Sequence, residues 1–259
     1  MILETRGLTR SFSGLKAISS LDFGVPEGSV RAIIGPNGAG KTTLFNVITG
    51  TLPCSGGEVL FEGRSIAGKN PEQIARMGIS RTFQLTSAFP ELTALENIWL
   101  GVNARLGSLN PFTPRRRTQE LEARARSILE SIGLGERGHI PAGELSYGQQ
   151  RMLDIGTALS TDPRLLMLDE PTAGLGVKET ATMAALIKHL AQRMTIIVIE
   201  HDIEVVLEIA DAITVLYNGE LLLEGAPGDI MSNETVQRIY LGHQVHVKGG
   251  IKGGTHAGA

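Results

Sequence analysis

The sequence predicts an α/β fold with a largely parallel sheet, a smaller antiparallel section and a helical section. Residues 30–34, VRAII, form an apolar run that leads through a glycine-rich loop into a helical pattern. This order is typical of a parallel sheet with crossover helices. Residues 164–170 and 194–200 contain short continuous apolar runs, as expected for strands buried on both faces. Residues 1–25 alternate in places between apolar and other side chains, which indicates antiparallel strands.

Residues 90–145 carry little strand signal and predict a mostly helical region. Thr113-Pro114 is a plausible helix start, and Gly133 ends the pattern. The apolar positions that recur at helical spacing are Leu121, Ala125, Ile128, Leu129 and Ile132.

Three further elements follow from local signals. EVLFEG at 58–63 predicts a short strand, and Asn218-Gly219 between apolar runs in 213–225 predicts a β-hairpin. A final short helix is expected from about Asn233 to Leu241.

The composition excludes several classes of protein. The chain has 259 residues, a net charge of −3 and one cysteine, Cys54. A slightly negative net charge does not favour general binding to nucleic acids. A single cysteine excludes an intramolecular disulfide framework and a multi-cysteine zinc site. The N-terminus shows no signal peptide, and the apolar runs are too short for a membrane helix, so we expect a cytosolic or cytosol-facing chain. Residues 243–259 are expected to form a flexible, glycine-rich tail.

The most specific motif is a phosphate-binding loop. Residues 35–42, GPNGAGKT, fit the pattern G-x-x-x-x-G-K-[ST] between an apolar strand and a helix. Glycines in such a loop let backbone N–H groups turn towards phosphate oxygens, and the start of the helix favours an anion. Lys41 would reach the β- and γ-phosphates, and Thr42 would ligate Mg²⁺. A chance glycine loop is the alternative, but the strand and helix around the motif favour nucleotide binding.

Two carboxylates follow the apolar run LLML at 165–168. Asp169 and Glu170 stand at the carboxyl end of this predicted strand, where open α/β sheets place their ligands. Asp169 is the natural Mg²⁺ partner, and Glu170 could polarise an attacking water. Two solvated acids at the end of a strand are the alternative interpretation.

A second candidate site begins at Ser146. Ser146 and Gln149 have the spacing of a capping box at the start of a helix. The same serine, with Gly148, could instead form a second phosphate site at a helix N-terminus. The residues alone leave these two interpretations equally open.

Together these motifs give the chain a family resemblance. The phosphate loop, Gln84, LSYGQQ at 145–150, LLMLDE at 165–170 and His201 occur in the order found in ABC-transporter ATPase subunits. The match covers residues 1–242. Within that family IARMGISRTFQ, PELTALENIWLG and VQRIYLG look like the ATP-binding subunits of branched-chain amino-acid importers. The ATPases of amide or urea importers and of lipopolysaccharide export, and more remotely a non-transport ABC ATPase, remain as alternatives.

The resemblance implies a P-loop NTPase with a RecA-like core, an antiparallel β subdomain and a helical subdomain. Residues 1–242 would form one ABC ATPase domain. Its core and β subdomain would comprise 1–85 and 160–242, and its helical subdomain 86–159. The chain would bind ATP and Mg²⁺ and hydrolyse ATP. It would be peripheral on the cytoplasmic side of the inner membrane.

The resemblance also assigns roles to individual residues. Glu170 would be the catalytic carboxylate, and His201 the switch residue at the γ-phosphate. Gln84 would sense Mg²⁺ and the γ-phosphate, and Asp169 and Thr42 would complete the metal site. The residues implied to bind ATP in the same chain are Phe12, which stacks on adenine, and Gly35, Pro36, Asn37, Gly38, Ala39, Gly40, Lys41, Thr42 and Thr43. The signature residues implied to bind the ATP of an opposing subunit are Ser146, Tyr147, Gly148 and Gln149.

Partners are implied in the same way. The ATPase would pair with an identical or paralogous subunit around two ATP molecules. Two membrane permeases would bind this pair, and an extracytoplasmic solute-binding protein would act through them; no nucleic acid is expected. Two residues depart from the common pattern: Tyr147 replaces a glycine of the signature, and Gly176 replaces an aspartate in the loop after Glu170.

Overall fold

The computed structural model describes residues 1–82, 88–106 and 115–239. The strands are β1 (Leu3–Phe12), β2 (Leu15–Val25), β3 (Val30–Ile34), β4 (Gly56–Phe61), β5 (Arg64–Ser65), β6 (Ile79–Arg81), β7 (Leu165–Asp169), β8 (Thr195–Ile199), β9 (Ala212–Tyr217) and β10 (Glu220–Gly225). The α-helices are α1 (Lys41–Ile48), α2 (Pro71–Met77), α3 (Ala94–Leu106), α4 (Arg115–Ser131), α5 (Tyr147–Leu159), α6 (Val177–Ala191), α7 (Ile203–Ile209) and α8 (Pro227–Ser232).

These strands form two sheets. The larger sheet has the order β10-β9-β3-β8-β7-β6, in which all neighbours from β9 to β6 are parallel and β10 pairs antiparallel with β9. The smaller sheet is antiparallel throughout, in the order β2-β1-β4-β5. The predicted combination of a largely parallel sheet with an antiparallel section is confirmed.

The larger sheet lies between two apolar clusters. Every residue of β3, β7 and β8 is buried, because alternate side chains of each strand point to opposite faces and both faces are covered. In β7, Leu166 and Leu168 pack among the cluster that includes α3 to α7. Leu165 and Met167 pack on the other face, with α1 and the antiparallel sheet. The continuous apolar runs of the sequence are the direct consequence of this burial.

The parallel arrangement places several chain segments at one edge of the sheet. β3, β8, β7 and β6 are consecutive neighbours and share one direction, so their carboxyl ends lie side by side. The segments at this edge are the loop 35–40 after β3, Glu200 after β8, Asp169 at the end of β7 and Arg81 at the end of β6.

Helices α3, α4 and α5 pack together and share one apolar cluster. Asp162, just after α5, joins them electrostatically: its carboxylate lies 2.6 Å from the guanidinium of Arg105 in α3 and 3.1 Å from that of Arg124 in α4. The start predicted at Thr113-Pro114 lies outside the described residues. None of the helices in the described ranges has the length and apolarity needed to cross a membrane.

The hairpin at Asn218-Gly219 is confirmed, with φ of 51° and 81° at the two turn residues. The strand predicted at 58–63 is instead β4, at Gly56–Phe61. Glu62 and Gly63 have φ of 51° and 72° and form the turn into β5, so the strand ends before them.

The chain is helical again at 234–239, within the helix predicted near the C-terminus. The last residues of that prediction, and the tail 243–259, lie outside the described residues.

We expect Gly219→Ala to destabilise the protein more than Gly63→Ala. Both glycines are the second residue of a two-residue turn with positive φ, so alanine at either should cost about 1–2 kcal/mol. A Cβ at Gly63 would meet nothing within 4 Å, whereas a Cβ at Gly219 would lie 2.7 Å from the carbonyl oxygen of Ala17 in β2. This clash should add about 1–3 kcal/mol at Gly219. Urea unfolding of both variants measures the difference, and equal losses would contradict the close packing of this hairpin on β2.

Candidate functional site

The phosphate loop connects β3 to α1 and is fixed by backbone contacts. A Cβ at Gly40 would lie 2.5 Å from the carbonyl oxygen of Ala17, so a larger residue cannot occupy this position without moving β2. The amide of Gly219 donates to the carbonyl of Ala39 at 3.1 Å, which ties the β9–β10 hairpin to the loop. Gly40 is also the N-cap of α1 and provides no side-chain cap. The first amides of α1 can therefore serve an anion.

Lys41 folds back across this loop. Its Nζ donates to the carbonyl oxygens of Gly35 at 2.6 Å and Pro36 at 3.0 Å. Burial lowers the pKa of Lys41, and the nearby carboxylates of Glu170 and Asp169 oppose that shift. The loop therefore holds a buried cation beside two acids before any ligand is bound.

Asp169 is fully buried, and its two carboxylate oxygens have different surroundings. Oδ2 accepts a hydrogen bond from the guanidinium of Arg81 at 2.6 Å. Oδ1 is buried and has no hydrogen-bond partner among the described residues. A buried carboxylate oxygen without a partner is costly, and a hard cation or its water would satisfy it.

Arg81 is the residue of this site that the sequence analysis missed. Its guanidinium bridges β7 and α1, because it also donates to Oδ1 of Asn46 at 2.5 Å and lies 5.4 Å from the ring centroid of Phe45. Arg81 lies within the segment IARMGISRTFQ that supports the family resemblance, but the resemblance assigns it no role. The sequence shows only that Arg81 is a charged residue shortly before Gln84. The pairing of β6 with β7 is what makes it a neighbour of Asp169.

Glu170 and His201 come together at the carboxyl ends of β7 and β8. Nε2 of His201 lies 2.5 Å from Oε1 of Glu170. Glu170 has φ of 51°, and its amide donates to the carbonyl of Ile199 at 2.9 Å. Both side chains remain partly exposed, at 24% for Glu170 and 44% for His201. A carboxylate held this way can accept a proton from a water that approaches the loop.

Glu200 anchors the backbone near both members of this pair: it holds Thr172, two residues after Glu170, and the amide of His201. It is 2% exposed, and its Oε1 accepts from the amide and the hydroxyl of Thr172, at 2.9 and 2.6 Å. Its Oε2 accepts from the amide of His201 at 3.1 Å. Glu200 is therefore a structural acid, in contrast to the partly exposed Glu170.

The capping box predicted at Ser146 is confirmed. The hydroxyl of Ser146 accepts from the amide of Gln149, and the Gln149 side chain accepts from the amide of Ser146 at 3.1 Å. Tyr147 and Gly148 lie against the segment that follows Glu170: the Tyr147 hydroxyl donates to the carbonyl of Ala173, and a Cβ at Gly148 would lie 2.8 Å from Oε1 of Glu179.

Phe12 makes none of the contacts described above. Phe12 ends β1 with 39% of its surface exposed, and the guanidinium of Arg10 lies 4.5 Å from its ring centroid. Gln84 lies outside the described residues. In the described ranges, no group of three or more His, Cys, Asp or Glu residues could hold a metal ion, so protein side chains of these types do not form a complete metal cage there.

The buried ion pair predicts a large loss of stability on removal of Arg81. Arg81→Met would leave the Asp169 carboxylate buried without its cation and should cost about 3–5 kcal/mol of unfolding free energy. Arg76→Met is the matched control, because the Arg76–Glu72 pair is equally short at 2.7 Å but exposed. Urea unfolding should show no resolved change for the control. Similar losses in the two variants would contradict the role of burial, and Arg81→Met with Asp169→Asn should recover part of the loss.

Comparison with known proteins agrees with this geometry. The family model described as ABC transporter matches residues 18–173. The chain is 43% identical to the high-affinity branched-chain amino acid transport ATP-binding protein BraF of Pseudomonas aeruginosa, covering 93% of this chain and 98% of BraF. It is 41% identical to LivG of Escherichia coli K12, with the same coverage.

Solved structures of ATP-binding cassettes have the same fold. The ADP conformation of MJ1267, an ATP-binding cassette of an ABC transporter, gives a TM-score of 0.82 at 34% identity and covers 93% of this chain and 98% of that chain. A nucleotide-free ATP-binding cassette from an ABC transporter gives 0.80 at 33% identity, over 92% and 98%. The α/β fold class of an ABC ATPase, predicted from the sequence, is confirmed. The chain belongs to the ABC transporter ATP-binding family.

Proposed function

We propose that this chain binds and hydrolyses ATP to energise an importer of branched-chain amino acids. The observation that carries the ATPase assignment is the meeting of Lys41, Asp169, Glu170 and His201 at one edge of the parallel sheet. The solute is inferred from the relatives, since BraF and LivG are named as branched-chain amino acid transport ATP-binding proteins and match nearly end to end.

ATP would bind with its phosphates in the loop after β3. Backbone amides of the loop and of the first turn of α1 would face the phosphate oxygens, and Lys41 would exchange its two carbonyl partners for the β- and γ-phosphates. Phe12 is partly exposed and would stack on the adenine. We assign ATP contacts in the same chain to Phe12, Gly35, Pro36, Asn37, Gly38, Ala39, Gly40, Lys41, Thr42 and Thr43.

Asp169, Thr42 and Gln84 would hold Mg²⁺ with the nucleotide. Oδ1 of Asp169 fits this role, because it is buried without a hydrogen-bond partner among the described residues while Arg81 restrains the other oxygen. Mg²⁺ bound there would supply positive charge that stabilises the negative charge of the phosphates. The protein contributes a carboxylate that Arg81 already orients. Nucleotide binding would therefore require little reorientation of Asp169.

Glu170 would orient the attacking water and accept its proton. The contact between Glu170 and His201 places an imidazole beside this carboxylate, and His201 would turn towards the γ-phosphate when ATP is bound. Glu200 is buried, and both of its carboxylate oxygens accept hydrogen bonds, from Thr172 and from the His201 amide. It is therefore not available as the base. Gln84 would sense the γ-phosphate and the metal from the segment after β6.

The assembly follows from the same assignment. Residues 1–242 would form one ATPase domain with the helical subdomain at 86–159. Two such chains, identical or paralogous, would sandwich two ATP molecules, each also contacted by Ser146, Tyr147, Gly148 and Gln149 of the opposing chain. Two permeases would bind this pair at the cytoplasmic side of the inner membrane, and an extracytoplasmic solute-binding protein would act through the permeases.

Lys41→Ala should weaken ATP binding by about 10- to 100-fold, because hydrogen bonds from a cation to phosphate contribute about 1.5–3 kcal/mol. Titration with a fluorescent ATP analogue in the presence of Mg²⁺ measures this. Lys188→Ala is the control, since Lys188 is exposed and pairs only with Glu208 in the contacts described for it. Equal affinity of Lys41→Ala and the wild type would refute the role of Lys41.

Glu170→Gln should lower the rate of ATP hydrolysis by about 10²- to 10⁴-fold, because glutamine keeps the shape but cannot act as a base. ATP should persist and hold the sandwiched dimer together, which light scattering with and without Mg-ATP detects. Glu208→Gln, on the exposed surface of α7, should hydrolyse ATP normally. A normal rate in Glu170→Gln would remove Glu170 from the mechanism, and a monomer under both conditions would favour a paralogous partner.

A further inference from the structure

Tyr147 stands at a position where the common family pattern has glycine. Its side chain contacts the loop that follows Glu170. Its hydroxyl lies 3.3 Å from the carbonyl oxygen of Ala173. Its ring lies against Gly174, where an added Cβ would be 3.2 Å from Cε1 of the tyrosine. The ring thus occupies the space that a side chain at position 174 would need, and the glycine lets the loop approach the ring.

The neighbouring Arg151 sets the direction of this hydrogen bond. Its Nε and Nη2 lie 3.1 and 2.7 Å from the Tyr147 oxygen, and both are donors. A hydroxyl has one hydrogen to donate and lone pairs to accept with. Because Arg151 supplies two hydrogens to the oxygen, the hydroxyl hydrogen is left for the carbonyl of Ala173.

Ala173 in turn supports Glu170. The amide of Ala173 donates to the carbonyl of Glu170 at 3.1 Å and closes a turn. Glu170 needs such support, because its φ of 51° lies in the left-handed region, which is unfavourable for a residue other than glycine. Thr172, within the same turn, is held from the other side by the buried Glu200. The turn is therefore fixed between β8 and α5.

We propose that Tyr147 is a positioning residue for Glu170 of its own chain. Through Ala173 it stabilises the turn that begins at Glu170, whose own φ is left-handed, and so helps to direct the Glu170 carboxylate towards His201. This inference rests on the proposed function, in which Glu170 is the base and residues 146–149 contact the ATP of the opposing chain; it concerns the Tyr147 hydroxyl, which donates within its own chain. Under that function, the first turn of α5 links the hydrolytic carboxylate of one ATP site to the nucleotide of the other.

Tyr147→Phe tests this proposal because it removes the hydroxyl and keeps the ring on Gly174. One neutral hydrogen bond contributes about 0.5–1.5 kcal/mol, so kcat for ATP hydrolysis should fall about two- to tenfold. KM for ATP should stay unchanged, and the melting temperature should fall by no more than in the control. Thr182→Val is the matched control, since Thr182 in α6 also donates from an exposed hydroxyl to a backbone carbonyl, that of Lys178 at 2.9 Å. An unchanged kcat in Tyr147→Phe, or a raised KM instead, would overturn the proposal.

Hydrogen exchange gives a readout that does not depend on activity. In Tyr147→Phe the amides of residues 172–176 should exchange about two- to tenfold faster, because the turn that protects Ala173 loses one support. Exchange in α6 should not change. Wild-type protection of this segment in the variant would contradict a positioning role.

A final comparison separates this inference from the proposed function. In the Glu170→Gln background, Tyr147→Phe should cause no further loss of rate and should leave the ATP-dependent dimer intact. A further loss of rate, or loss of the dimer, would assign Tyr147 to the opposing nucleotide and overturn its role through Glu170. A wild-type rate in Glu170→Gln alone would instead refute Glu170 as the base, and with it the catalytic part of this inference. Hydrogen exchange would still test whether Tyr147 supports the turn.

Discussion

The arrangement of the site depends on the burial of three parallel strands on both faces. β3, β8 and β7 are adjacent and fully buried, so their register is fixed by apolar contacts in two directions at once. A slip of one residue in any of them would exchange the side chains of the two clusters. Because the strands are parallel, the same contacts that fix the register also fix the positions of the phosphate loop, Asp169 and Glu200 relative to one another.

Two cations, Arg81 and Lys41, accompany the carboxylates of Asp169 and Glu170 at this edge. Arg81 neutralises one oxygen of Asp169, and Lys41 is held by loop carbonyls close to Asp169 and Glu170. Burial lowers the pKa of Lys41 by penalising its charged form, while the two carboxylates favour that form. Under the proposed function, phosphates entering the loop would meet groups that are mostly in place, and the side chains that rearrange would be Lys41 and His201. Such preorganisation is the usual source of electrostatic stabilisation in phosphoryl transfer.

Features encoded in consecutive residues could be predicted from the sequence. The phosphate loop, the capping box at Ser146 and the hairpin at Asn218-Gly219 each depend on residues within a few positions of one another. The Arg81–Asp169 pair joins residues 88 positions apart and follows only from the pairing of β6 with β7. The end of β4 was predicted too late, because Glu62-Gly63 forms a turn without the usual asparagine or aspartate signal.

Gly176, the second departure from the family pattern, is compensated locally. Gly176 is the N-cap of α6 and has no side chain to cap the helix, but Oε2 of Glu179 accepts from its amide at 3.3 Å. A glycine cap costs only a few tenths of a kcal/mol, so the aspartate is not needed to begin α6. The other oxygen of Glu179 lies against Gly148, in the first turn of α5, where a negative charge is favourable. Tyr147 on Ala173 and Glu179 beside Gly148 therefore join α5 to the loop after Glu170 and to the first turn of α6. The two departures lie in one intrachain interface, between the first turn of α5 and the segment from Ala173 to Glu179, so these two parts of the chain form a single structural unit.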